Sequence, residues 1–325
     1  MQTLDPIDLR LLDDFQRDFP LAERPFAVLG AALGLAEGAV IDRLARLHAA
    51  GKVARVGATV QPNTAGASTL AAMAVPEARV AEVAAIVGAE PGVNHSYLRE
   101  TDWNLWFVAT AADTAELAAA LDRIRTASGL TVLDLWLVRA FNIDLGFRLT
   151  GGAQAMPAPR APVAVTPDPG DRALLHALSQ GLDLTPAPFA ALAARLGRDE
   201  PALRDRIGAL TAAGVITRLG VIVRHRALGF TANAMVVWDP PADRIEPAGR
   251  ALAALPGVTL AYERRPVPGV WPWRLYSMIH ARDRDAALAV LAGATRLPVL
   301  RGVLHRVLFS TRCFKQSGAQ IERAA

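Results

Sequence analysis

The chain has 325 residues, 52% hydrophobic and 20% charged, with a formal net charge of +4. That length suits two ordinary domains or two pairs of small ones, the apolar content excludes a disordered chain, and so mild a basicity does not by itself indicate nucleic acid. A single cysteine, Cys313, excludes an intrachain disulfide.

The predicted elements begin with three short helical patterns. Asp8 precedes Leu9, Leu11 and Leu12; Phe26, Leu29 and Leu33 recur at helical spacing up to Gly34; Val40, Leu44 and Leu47 mark a third helix that Gly51 ends. The β-prone segment Val53–Val60 follows, and three helices with a small β-ribbon read as a winged helix-turn-helix over residues 1–62. Residues 63–150 then alternate strand Thr69–Val75, helix Val80–Val87, strands Val93–Arg99 and Leu105–Ala109, helix Ala115–Ala127 and strand Thr131–Phe141. This β-α-β-β-α-β order predicts a ferredoxin-like antiparallel sheet with both helices on one face. The Pro-, Gly- and Ala-rich run after it contains an extended linker over 151–167.

The second copy repeats the plan. Leu203, Ile207 and Leu210 lead to Gly214 and the β-prone segment Val215–Val223, a second winged helix over 168–225. Residues 226–325 carry strands Ala232–Trp238, Val258–Arg264, Arg274–His280 and Val299–Phe309 with helices Ile245–Leu255 and Asp285–Ala294. The fold class is therefore α+β, a tandem repeat arranged as a pseudo-dimer in which each copy covers the open sheet face of the other. The repeat is literal: Gly51-Lys52-Val53-Ala54-Arg55-Val56-Gly57 returns as Gly214-Val215-Ile216-Thr217-Arg218-Leu219-Gly220, an offset of 163 residues that also pairs Asp8 with Asp171. It breaks at two histidines, because Pro62 aligns with His225 and Asn94-His95 aligns with Thr259-Leu260.

Three clusters could carry chemistry. Alternation puts His95, Tyr97 and Arg99 on one strand face, where an imidazole, a phenol and a guanidinium can bind a carboxylate and move a proton. His225 stands between Arg224 and Arg226, a pair suited to a bound anion. Arg264, Arg265, Trp271, Trp273 and Arg274 surround a proline-held loop that suits a flat aromatic ligand with an acidic rim. His280 closes a strand and is a reserve candidate, while Lys315 lies near Arg312 and Gln316 beyond the expected final strand, as a further anion contact. His48 and His176 read as helix surface or boundary residues and His305 as a structural histidine. No metal-site spacing, Walker loop or dinucleotide fingerprint is present.

A winged helix followed by a ferredoxin-like unit resembles the Lrp/AsnC regulators. The strings Arg224-His225-Arg226-Ala227-Leu228-Gly229-Phe230, Arg264-Arg265-Pro266, Tyr276-Ser277-Met278-Ile279-His280 and Phe309-Ser310-Thr311-Arg312, with Asn94-His95-Ser96-Tyr97 and Asn104-Leu105-Trp106-Phe107 in the first copy, resemble siroheme decarboxylases of the fused D–L form. The resemblance implies removal of the C12 and C18 acetate carboxyl groups of siroheme, giving 12,18-didecarboxysiroheme on the route to haem d1. For that reaction His95 and His225 are the candidates for handling the proton. Tyr97, Arg99, Arg224, Arg226, Arg264, Arg265, Trp271, Trp273, Arg274, His280 and Lys315 would then bind substrate. No added cofactor is expected, the iron being the substrate's own, and no protein metal site. Expected partners are the iron-tetrapyrrole substrate, a second copy of the chain and other proteins of haem d1 biosynthesis.

Met1–Asp5 carries no basic segment followed by an apolar run, and charges interrupt the apolar stretches, so a cytoplasmic protein without a membrane partner is expected. The competing class is a DNA-binding regulator sensing a small molecule or tetrapyrrole. The two candidate reading helices, Glu37–Ala50 and Asp199–Ala213, mix acidic and basic residues, which argues against DNA binding.

Overall fold

The computed structural model describes residues 4–143, 146, 149 and 168–318; the linker 151–167 lies outside the described residues. The first copy contains α1 (Pro6–Asp14), α2 (Pro25–Leu33), α3 (Glu37–Ala49), β1 (Val53–Val60), β2 (Ala67–Met73), α4 (Val80–Ala89), β3 (Val93–Arg99), β4 (Leu105–Ala111), α5 (Thr114–Ser128) and β5 (Val132–Asn142). The second contains α6 (Pro169–Gln180), α7 (Pro188–Leu196), α8 (Glu200–Ala212), β6 (Ile216–Val223), β7 (Ala232–Asp239), α9 (Ile245–Ala254), β8 (Val258–Arg264), β9 (Leu275–Ala281), α10 (Arg284–Thr295) and β10 (Leu304–Gln316). These elements form two units, Met1–Gln61 with Asp144–Gly229, and Pro62–Ile143 with Phe230–Ala325.

In the winged-helix unit, Leu11, Leu12, Phe26, Leu29, Val40 and Leu44 are fully buried, the face that the helical spacing selects. The expected ribbon within each copy is not what forms. β1 pairs antiparallel with β6, with Gly57 opposite Gly220, so one two-stranded sheet is shared by both copies. The cause lies in the connection: after β1 the chain passes into β2 of the other unit, which leaves no return strand inside the copy. The segments after α1 and α6 lie across this sheet in exchange. Val221 N–H donates to Phe15 O (2.7 Å), and Leu182 N–H donates to Val56 O (2.7 Å).

The repeated Asp8 and Asp171 tie the first helix of each copy to the third. Arg43 Nη1 reaches Asp8 Oδ1 at 2.6 Å, while Arg206 grips both Asp171 oxygens, at 2.9 and 2.5 Å. Asp171 also completes a capping box with Asp168 at the start of α6. Burial pushes its carboxyl up, but Arg206, the Asp168 amide and Arg198 outweigh this and hold it below the usual carboxylate range. Because the folded-state affinity for a proton is lowered, the stabilisation is present above pH ~4 and is lost as pH falls further. Asp171→Ala is expected to cost about 3 kcal/mol at pH 7, since it strands a half-buried guanidinium, and much less near pH 3. Urea denaturation at the two pH values measures the difference.

In the other unit, β2 to β5 take the order β3-β4-β2-β5 and β7 to β10 the order β8-β9-β7-β10, the ferredoxin-like arrangement twice over. Two long strands join them. β5 pairs with β2 through Val132–Trp136 and with β8 through Leu137–Asn142; β10 pairs with β7 through Leu304–Phe309 and with β3 through Ser310–Gln316. The eight strands close into a barrel with no free sheet edge. The final strand thus differs from the expected Val299–Phe309. Pro298–Leu300 form a 3₁₀ turn and Gly302 adopts φ 74°, so extension begins at Leu304 and continues to Gln316.

Each sheet half packs its own helices on the outside. Val83, Val87, Leu117 and Leu121 back the first half, and Ala248, Leu252, Ala287 and Leu291 the second. The inward faces share a third core built around Leu70, Trp106, Leu135, Met235, Tyr262, Trp271, Tyr276, Met278 and Leu308. The two copies therefore cover one another, as the repeat implied.

Candidate functional site in the barrel

The β3 face expected from alternation is present. His95 pairs in register with Val108 and Tyr97 with Trp106, so both side chains share the inward face of the barrel. The rings of His95 and Tyr97 stack with centroids 6.5 Å apart, and the Arg99 guanidinium lies 5.7 Å from the Tyr97 ring centroid. His95 Nδ1 lies 2.7 Å from Asn94 Oδ1, while Asn94 Nδ2 donates to Thr110 Oγ1. An amide oxygen only accepts, so Nδ1 carries the hydrogen and Nε2 is the basic nitrogen of the neutral ring.

Arg99 is buried. Its Nη1 donates to Leu308 O (2.9 Å) and its Nη2 to Asn233 Oδ1 (3.0 Å), and burial pushes it down to about 10, still charged at neutral pH. Its counterpart in the repeat, Arg264, donates from Nη1 to Leu135 O (2.6 Å) and lies over the Tyr262 ring. Each arginine thus pins the long strand contributed by the other copy. Both Nε atoms are buried without an acceptor.

Asn233 Nδ2 lies 2.8 Å from His280 Nε2, and His280 Nδ1 lies 2.8 Å from Thr259 Oγ1. Burial, and then the Arg99 charge, push His280 down to about 4, so it is neutral at physiological pH. Trp271 is buried in the shared core, its Nε1–H donating to Tyr276 Oη (2.8 Å) and its ring edge-on to Trp106 at 5.3 Å. Gly269, at φ 73°, turns the loop back so that Val267 and Trp271 pair. Trp273 meets Trp271 edge-on and faces Arg306, whereas Arg265 is exposed.

Lys315 and Gln316 are not a tail after the last strand. They are part of β10, with Gln316 opposite His95 and Lys315 opposite Ser96. The Lys315 ammonium donates to Gly88 O (2.8 Å) and Glu90 O at the end of α4. His305 packs on Trp238 at 4.9 Å. Arg224, His225 and Arg226 lie in the winged-helix unit, at a 3₁₀ turn after β6, with both arginines exposed and His225 partly so. Nothing in the local sequence marks Asn233 for a role, and Thr259 is marked only by standing where Asn94 stands in the repeat.

Comparison with known proteins decides the family. Residues 65–141 and 227–315 match the AsnC-like ligand binding domain, and residues 8–53 and 171–216 match the siroheme decarboxylase NirDL-like HTH domain. The siroheme decarboxylase NirDL subunit of Paracoccus denitrificans (strain Pd 1222) is 60% identical over 323 residues, covering 99% of both chains. The chain belongs to the siroheme decarboxylase family. A second member, the siroheme decarboxylase of Hydrogenobacter thermophilus, is 30% identical over 94% of this chain and 92% of its own. The crystal structure of the siroheme decarboxylase NirDL in co-complex with an iron-uroporphyrin III analogue superposes with TM-score 0.67 at 26% identity, covering 96% of this chain and 92% of that one.

In both helix-turn-helix segments the basic residues of the third helix are largely engaged. Arg43 and Arg206 bind Asp8 and Asp171, and Arg204 pairs with Glu200 at 3.3 Å. Among the described residues of this siroheme decarboxylase family member, no group of three or more His, Cys, Asp or Glu could hold a metal ion, and no single helix is long and apolar enough to cross a membrane.

Proposed function

We propose that the chain is a siroheme decarboxylase that removes the C12 and C18 acetate carboxyl groups and works in the cytoplasm as a carboxy-lyase of haem d1 biosynthesis. Full-length similarity to the Paracoccus denitrificans subunit, through both copies, carries the reading. In this reading the C–C bond to each carboxyl breaks, CO2 leaves, and the electron pair is delocalised into the macrocycle until a proton reaches the new methyl carbon. The protein supplies the proton and the positioning, and needs no cofactor of its own. His95 suits the proton transfer, because Asn94 orients its ring and leaves Nε2 to carry the mobile proton. His225, flanked by Arg224 and Arg226, is the second proton-handling residue of the proposal. The arginines around Trp271 and Trp273, together with Tyr97, supply contacts for a flat, acidic ligand.

Regulation of transcription is the weaker reading, since the arginines a reading helix would offer to phosphates are paired within their own unit. Anaerobic incubation with siroheme, followed by mass analysis, is expected to give a product lacking two CO2. Unchanged siroheme together with tight operator binding would reverse the choice.

A further inference from the structure

The hydrogen bonds around His280 run in one direction. Thr259 Oγ1 donates to Met278 O (3.1 Å), so it accepts from His280 Nδ1–H. His280 Nε2 is then an acceptor, which fixes the Asn233 NH2 group toward it and turns Asn233 Oδ1 toward Arg99 Nη2. Asn142 Nδ2, donating to Thr259 O (2.8 Å), holds the far end. At the near end Arg99 lies beneath Tyr97, whose ring stacks on His95. The chain of contacts therefore runs from β8 and β9 of the second copy to the His95 face of the first.

Its mirror image is incomplete: Asn94 meets Thr110 in the first half as Thr259 meets His280 in the second, but among the described residues no asparagine links that pair to Arg264. The register pairs Asn233 with His280 in one half and Ser68 with Thr110 in the other. The Ser68 hydroxyl donates to Asn63 Oδ1 (3.1 Å). The elaborated arginine is Arg99, on the strand that carries His95; the plain one is Arg264, on the strand that carries Leu260. A strut needed only to close the barrel would serve both halves alike.

We propose that His280 is a positioning residue: through Asn233 it holds Arg99, and so Tyr97 and His95, in place, and it moves no proton itself. The role rests on the siroheme decarboxylase reading. It makes the second copy a structural contributor to the first copy's site.

The test uses the full chain in anaerobic siroheme turnover, with kcat and KM measured for wild type, His280→Phe and His280→Gln. Phenylalanine fills the space without hydrogen bonds and is expected to lower kcat about 100-fold with KM within about threefold. Glutamine offers one acceptor and one donor and is expected to recover kcat to within about threefold of wild type. Thr259→Val, which removes one hydroxyl at the far end, covers the case in which His280→Phe does not fold; about a tenfold fall in kcat is expected. A glutamine variant as slow as the phenylalanine one would make the imidazole a proton carrier and overturn the role. Wild-type kcat in both His280→Phe and Thr259→Val would overturn it equally. If wild-type protein leaves siroheme unchanged, the proposed reaction falls and this role with it.

Discussion

Replacing His95 by alanine is expected to slow siroheme decarboxylation about 100- to 10,000-fold, the range general acid catalysis supplies. Binding of siroheme, read by absorbance titration, should change by less than about threefold, because the imidazole matters most as charge develops on the carbon losing CO2. The imidazole is suited to that task by its surroundings: Asn94 fixes the tautomer, and Tyr97 stacks against the ring. The second copy cannot substitute, since Leu260 occupies the aligned position. Rates in single-turnover experiments that match wild type would remove His95 from the proton transfer.

Gly220→Ala is expected to destabilise the winged-helix unit by about 3 kcal/mol, lowering its melting temperature by roughly 6–12 °C. A Cβ there would stand 2.3 Å from Gln16 O, 2.4 Å from Gln16 C and 2.7 Å from Phe15 O. These are backbone atoms held to β6 by the Val221 N–H to Phe15 O and Phe19 N–H to Leu219 O bonds, so no rotamer change relieves the clash. The repeated glycine Gly57 has the same problem with Leu178 O at 2.5 Å. Both glycines are thus places where one copy's backbone is pressed onto the other copy's strand. Gly38→Ala is the control: nothing lies within 4 Å of its Cβ position on α3, and the change favours helix. A Gly220→Ala melting curve that overlays wild type would contradict the packing account.

The sequence made the local elements legible and the pairings between them much less so. Helix faces such as Val40, Leu44 and Leu47, and the strand alternation of His95, Tyr97 and Arg99, follow from local periodicity, and the structure places them accordingly. The pairing of β1 with β6 does not, because no local pattern distinguishes a hairpin from a ribbon made with a strand 163 residues away. Nor does the extension of β10, since Arg312, Lys315 and Gln316 read as a polar tail. They are tolerated in a strand because their partner is β3 and because Lys315 finds the carbonyls of α4. The site was legible where chemistry announced itself, as at His95. It was opaque where an ordinary residue acts through another, as Asn233 does between Arg99 and His280. The misalignment of Asn94-His95 with Thr259-Leu260 was the clue available, and its meaning depends on contacts that cross between copies.

The siroheme assay tests the whole account most directly when it is run anaerobically in D2O and read by mass. The account predicts a product that has lost both acetate carboxyl groups and gained one deuteron in each new methyl group, with His95→Ala forming far less of that doubly decarboxylated product over the same interval. Siroheme recovered unaltered from wild-type protein, or decarboxylation that proceeds undiminished without His95, would contradict it.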